Sequence, residues 1–370
     1  MSLPVLNIAD PRVELLGMSV EELEQFALDV LEEKKFRGRQ LFKWIYQKRV
    51  TDFDVMTNMA KALRAKLKEV AKISRFEVNA APESADGTVK FLWGLHDGLQ
   101  IESVLIPEDR RLTLCISSQV GCNLGCDFCV TAKGGFTRNL TKAEILGQIV
   151  QAQDFAPDRP ITNIVLMGMG EPLLNFENVV QSMETAQDPE GLALSHRKIT
   201  LSTVGLVPQI KKLGERTRIN LAVSLHGSTN EGRSSLMPVN DTYSIEELIA
   251  ALKKFPLPHR KHVTIEYILL RGVNDDTDDA HRLARLLRGL RAKVNLIPYN
   301  DNPFTEYKRP DDRDILAYQE TLMSYGLHTV VRLNRGGDIG AACGQLGGYK
   351  QQHPRKAQRN RALRAEETST

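Results

Sequence analysis

Three of the five cysteines in this 370-residue chain fall in one short stretch, Gly121-Cys122-Asn123-Leu124-Gly125-Cys126-Asp127-Phe128-Cys129. Their spacing is C-x3-C-x2-C. Three thiolates this close can take three corners of a small cubic iron–sulfur cluster, for which cysteine is the usual ligand. A cluster that only relays electrons needs a fourth thiolate, so a set of three leaves one iron open to bind and reduce a substrate. Gly121 and Gly125 suit a tight loop with close backbone approach. Zinc is the competing occupant, because it accepts Cys and His and His226 could complete a Cys3His set. Structural zinc prefers paired C-x2-C units, however, and there is no second pair. A disulfide framework does not suit a long, cysteine-poor chain. Cys115 and Cys343 stand outside the group.

The text around the three cysteines is more specific. Cys115-Ile116-Ser117-Ser118-Gln119-Val120-Gly121-Cys122 leads in, Gly168-Met169-Gly170-Glu171-Pro172 follows, and Ala342-Cys343-Gly344-Gln345-Leu346 lies near the far end. Together these resemble the RlmN/Cfr family of radical S-adenosylmethionine (SAM) adenosine C-methyltransferases, over about residues 36–346 and with every landmark in order. Arg332-Leu333-Asn334-Arg335-Gly336-Gly337-Asp338 departs from the family text in its middle residues.

The resemblance implies a set of roles. Cys122, Cys126 and Cys129 would hold a 4Fe–4S cluster whose open iron chelates SAM. Gly170 and Glu171 would meet the SAM amino group, and Ser202, Ser224, Leu225, His226 and Asn300 its ribose, carboxylate and adenine. Read without the family, a Gly-x-Gly-Glu-Pro turn after a strand is a weak signal, each hydroxyl is a capping group, and His226 is a satisfied core histidine.

The resemblance also implies how a methyl group reaches an unreactive carbon. Adenine C2 and C8 are not nucleophilic, so ordinary transfer from SAM fails. One SAM would methylate Cys343, and a second would supply the radical that activates this S-methyl group for attack on the base. Glu102 would accept the ring proton, and the Cys115 thiolate would release the product by forming a transient disulfide with Cys343, which is ordinary exchange chemistry. The activity expected is C2 methylation of adenosine in 23S ribosomal RNA and in transfer RNA beside the anticodon. An electron donor such as flavodoxin with its reductase would serve a monomeric enzyme. C8 methylation shares all these motifs. A radical SAM activase of proteins would not need Cys115 and Cys343, and a zinc-stabilised RNA-binding protein would use the basic segments alone.

These residues need a scaffold. At 42% hydrophobic and 26% charged, the chain has an ordinary globular composition. No apolar run approaches the ~18 residues of a membrane span. The start lacks the basic and apolar segments of a signal peptide, and the expectation is a cytoplasmic protein. Net charge is only +3, yet Lys34–Arg49 holds seven basic residues and no acidic one, and residues 350–370 hold six basic and two acidic. Both are candidate footprints for RNA phosphates.

Ser19 and Glu22 form a capping-box signal before an amphipathic helix expected to end near Arg37-Gly38. A second helix carries Leu41, Trp44 and Ile45 on one face, and a third spans Lys61 to Ala71. Phe42, Trp44 and Tyr46 read as core packing, with RNA docking as the sharper alternative. Asp97-Gly98 marks a hairpin between two β-rich runs. From Arg111 on, strands and helices alternate, with a second capping box at Thr141 and Glu144, which means a mostly parallel sheet. The fold class is therefore α/β: a partial (β/α)6 radical SAM barrel, as the resemblance implies, preceded by a small helical accessory domain. Residues 1–95 are assigned to the accessory domain, 96–349 to the barrel, and 350–370 to a flexible basic tail.

Overall fold

Both capping boxes form, and each opens a helix. In the first, Ser19 accepts from the Glu22 backbone N–H while the Glu22 carboxylate accepts from that of Ser19, opening α1 (Val20–Asp29). The structure, a computed structural model, describes residues 10–347, so the expected tail lies outside the described residues. α2 (Phe36–Tyr46) and α3 (Lys61–Val70) follow, and Leu23, Phe26, Leu41, Phe42, Ile45, Tyr46, Leu63 and Leu67 are buried along their shared faces. Phe42 and Tyr46 are thus core residues. Trp44 is half-buried, its indole N–H donating to Asn58 at 2.7 Å.

The first helix ends earlier than expected, and Gly38 lies inside α2. A Cβ at Gly38 would sit 2.4 Å from the Glu24 backbone, so this glycine lets two helices approach closely and does not terminate one. β1 (Val13–Glu14) pairs in parallel with β2 (Ala71–Lys72), joining the two ends of the helical unit.

The main sheet begins with β3 (Glu77–Ala80), β4 (Val89–Gly94), β5 (Gln100–Glu108) and β6 (Arg111–Cys115), paired antiparallel. The expected hairpin at Asp97-Gly98 joins β4 to β5, and the sheet continues across residue 95. After β6 come the short pair β7 (Gln119–Gly121) and β8 (Phe136–Asn139), flanking α4 (Val130–Lys133), and then α5 (Lys142–Ala152). The alternation continues with β9 (Asn163–Leu166), α6 (Phe176–Gln187), β10 (Ile199–Thr203), α7 (Val207–Arg216) and β11 (Asn220–Ser224). It ends with α8 (Asn230–Leu236), α9 (Ile245–Lys254), β12 (Val263–Leu269), α10 (Thr277–Leu286), β13 (Ala292–Pro298), α11 (Asp312–Ser324) and β14 (Thr329–Val331).

The sheet order is β14-β13-β12-β11-β10-β9-β6-β5-β4-β3. From β6 to β14 every pairing is parallel. β6 and β9–β13 are each followed by helix, making six βα units, and β14 adds an edge. At the usual ~4.8 Å between strands, a flat sheet would hold β14 about 24 Å from β9. Yet Arg332, just past β14, places Nη1 3.6 Å from Sδ of Met167, just past β9. The sheet is therefore curled, and because among the described residues β14 pairs only with β13 it stays open: a partial barrel. No helix among the described residues is long and apolar enough to cross a membrane.

Candidate active site

Cys122, Cys126 and Cys129 line a cavity at the carboxyl ends of the parallel strands, the end where barrels of this kind build sites. Their loop is cut to measure. Gly121 has φ +77°, and a Cβ there would fall 1.8 Å from the Gly135 carbonyl. That carbonyl accepts from the Cys122 N–H at 2.9 Å, and the Cys126 carbonyl from the Cys129 N–H at 3.1 Å. Burial pushes the Cys122 thiol up to about 12 and raises that of Cys126 as well. A coordinating metal removes such protons outright. In a cube each sulfur meets a different iron, so the three need not converge on one point.

Gly170, Glu171, Ser202, Ser224 and His226 line the same cavity. Gly170 has φ +97°, and a Cβ would lie 2.4 Å from Cβ of Gln119, so only glycine lets the strand end pass the cluster loop. Both carboxylate oxygens of Glu171 are occupied, accepting from Leu173 N–H at 3.0 Å and Val204 N–H at 2.9 Å. Burial nevertheless raises its pKa to about 7. His226 adopts φ +58°, rare for a non-glycine residue. Its Nδ1 accepts from Ile268 N–H at 3.0 Å. Burial, helped by the Arg233 charge, lowers its pKa to about 3, so the ring is neutral and its proton sits on Nε2. Leu225 is in the core and does not line the cavity; its carbonyl accepts from Arg233 Nε at 3.1 Å.

Cys343 lines the cavity too, which brings the far end of the chain to the cluster loop. The Val130 N–H donates to the Gly344 carbonyl at 2.9 Å, next to each cysteine. Asn300 does not line the cavity; its Nδ2 donates to the Cys343 carbonyl at 3.2 Å. Cys115 ends β6 and is buried, its thiol pushed up to about 12 by desolvation and by the neighbouring Cys343. Glu102 lies on β5, two residues from Val104, the register partner of Cys115, so the two side chains share one face of the sheet. It is buried outside the cavity lining, and Oε2 accepts from the Gly347 N–H at 3.2 Å. All five cysteines are free thiols.

Three charged residues of this region were not anticipated. Arg233 is fully buried; its guanidinium donates to the carbonyls of Leu225 and Val204 and to Asn240, stitching β10 and β11 together past their ends. In sequence it looks like a charge on an exposed helix, and no local signal marks it. Glu266 in β12 and Arg332, unlike Arg233, line the cavity.

Residues 13–73 match the family described as the ribosomal RNA large subunit methyltransferase N-terminal domain, and residues 116–284 match the radical SAM superfamily. The dual-specificity RNA methyltransferase RlmN of Syntrophotalea carbinolica is 48% identical over 340 residues, 92% of this chain and 91% of that protein. Its namesake in Desulfosudis oleivorans is 51% identical over 84% of each chain. The chain belongs to the RlmN family. A crystal structure of a radical SAM methyltransferase from Sphaerobacter thermophilus agrees with a TM-score of 0.87 at 42% identity, covering 90% of this chain and 99% of that one. RlmN proteins are radical SAM enzymes, whose superfamily works with a 4Fe–4S cluster and SAM. The three cysteines lining one cavity suit the cluster, and the glycine-lined strand ends beside them suit a close-fitting ligand.

Proposed function

We propose that this protein methylates C2 of adenosine in 23S ribosomal RNA and in transfer RNA, with Cys343 as the methyl carrier. The observation that carries this reading is the meeting of Cys343 with Cys122, Cys126 and Cys129 in one cavity. The three cysteines would hold the cluster. Gly170, the segment at Glu171, Ser202, Ser224 and the Nε2 proton of His226 would face SAM, while Leu225 and Asn300 would act through their backbone neighbours. When bound, cluster and SAM supply one-electron chemistry and a methyl group.

The chain's own residues do the rest. Cys343 accepts the methyl group and carries it to the base. Glu102, on the same sheet face as Cys115, accepts the ring proton. The Cys115 thiolate then attacks Cys343 sulfur: the S–S bond forms, the S–C bond breaks with its electron pair passing to the carbon on the base, and that carbon takes a proton to become the methyl group. We further propose a monomer acting in the cytoplasm with a flavodoxin-type electron donor.

The test is digestion of RNA methylated by the anaerobically reconstituted protein. The result expected is 2-methyladenosine, together with an extra methylene mass on the peptide containing Cys343. Methylation at C8 would replace this reading with the C8 one, and an unmodified Cys343 in active protein would overturn the carrier role.

A further inference from the structure

Ser117 lies in the stretch that leads into the cluster loop, yet the proposed chemistry gives it no task. Its side chain is fully buried. A hydroxyl has one proton to give and lone pairs to receive, and this one is used in both directions. Its Oγ donates to the backbone carbonyl of Glu102 on β5 at 2.6 Å and accepts from the backbone N–H of Met169 at 2.9 Å. Met169 stands between Gly168 and Gly170 in the turn proposed to meet SAM. One oxygen atom therefore bridges two peptides, that of the proposed proton acceptor and that of the ligand-facing turn.

The bridge is held on both sides. Gln148 of α5, also fully buried, accepts on Oε1 from the Ser117 N–H and from Ser103 Oγ, each at 2.8 Å. Its Nε2 donates to the Ser117 and Glu144 carbonyls at 3.0 and 3.1 Å. On the side of the turn, the Gly168 N–H donates to the Ile116 carbonyl at 3.1 Å, and the Ser118 N–H to the Met169 carbonyl at 2.9 Å. A Cβ at Gly168 would fall 2.7 Å from that Ile116 carbonyl, so glycine is what lets the turn come this close. A buried network whose members are all satisfied is rigid and specifies one arrangement.

We infer that Ser117 is a positioning residue whose hydroxyl locks the Glu102 peptide to the turn at Met169, so that the proton acceptor and the SAM-facing turn keep one fixed spacing. Ser117 does not line the cavity and acts through these two partners. The inference rests on the reading of Glu102 as proton acceptor and of the turn as a SAM contact. The bond runs to the Glu102 backbone carbonyl, so Glu102→Gln leaves it in place and tests that reading separately.

The experiment is RNA methylation by the reconstituted full-length protein with SAM varied, beside equilibrium binding of SAM without RNA. Ser117→Ala removes the bridge and adds no bulk. It should raise both the Kd and the KM for SAM at least about fivefold and lower kcat at least about tenfold, since a misplacement of about 1 Å can cost about a hundredfold. The control is Tyr318→Phe, which deletes another fully buried hydroxyl, bonded to Asp279 at 2.8 Å. It should lower the melting temperature comparably and leave all three constants within about twofold of the parent. Should Ser117→Ala fail to fold, Gln148→Met decides: it unties the Ser117 peptide and should move the same constants in the same directions, at least about threefold. Constants unmoved in the variant that folds, or moved equally by Tyr318→Phe, would overturn the role. Normal turnover by Glu102→Gln would instead sink the reading beneath it.

Discussion

The cavity has two unlike walls. On the wall built from β9 to β11, polar groups are already satisfied by the protein. Glu171 has a backbone donor on each oxygen, His226 spends Nδ1 on Ile268, and behind them Arg233 donates to four acceptors. On the side of β12 and the C-terminal segment, Glu266 keeps an oxygen without a hydrogen-bond partner among the described residues, and the Cys343 thiol is free. The first wall is preorganised and has little freedom to change its bonding. Under the proposed scheme the second holds the thiol that changes its covalent partner during turnover. A site that grips one ligand while breaking bonds to another needs both kinds of wall.

Substitutions should separate the two walls. The largest effect is expected for Cys343→Ala: RNA methylation falls below detection while the visible absorption of the cluster and SAM binding persist. Loss of cluster absorption in that variant would mean the walls are not separable. Glu102→Gln should lower turnover about 10²–10⁴-fold and still leave a methyl group on Cys343, read by peptide mass; normal turnover would remove Glu102 from the chemistry. Arg233→Met should damage the holding wall, lowering stability by at least about 3 kcal/mol in urea denaturation because four acceptors lose a charged donor.

A smaller effect is expected from pH. The His226 imidazole is held neutral, its pKa lowered from 6.5 to about 3. Its contribution is present above the unfolded value and is lost as pH falls from about 6.5 towards 3. Thermal melts of His226→Gln should show a shallower loss over that window than the parent. The smallest effect is expected outside the cavity. Neutralising Lys34, Lys35 and Lys48 should weaken RNA binding evenly across sequences and lower its salt dependence by no more than about one counterion per lost contact.

That last prediction is modest because the basic run is less basic in space than in sequence. Arg37 pairs with Glu33, Arg39 with Glu24, Lys43 with Glu190 and Arg49 with Asp154. Three of those acids come from other elements, so an acid-free stretch of text becomes a largely compensated surface. Gly38 shows the same limit. As a letter it reads as a helix stop, and only the crossing of α1 and α2 makes it a contact point.

Local order, by contrast, was readable residue by residue. The two capping boxes and the Asp97-Gly98 hairpin depend on neighbours within a few positions, and those interactions are encoded locally. Cys343, Gly170 and His226 could be singled out because their short motifs survive as text. Arg332, Glu266 and Arg233 could not, since an isolated charge in a strand or helix looks the same whether it faces water or a cavity. Which charges face the cavity is decided by how far the sheet curls, and that is set by packing along the whole barrel and not by any one segment.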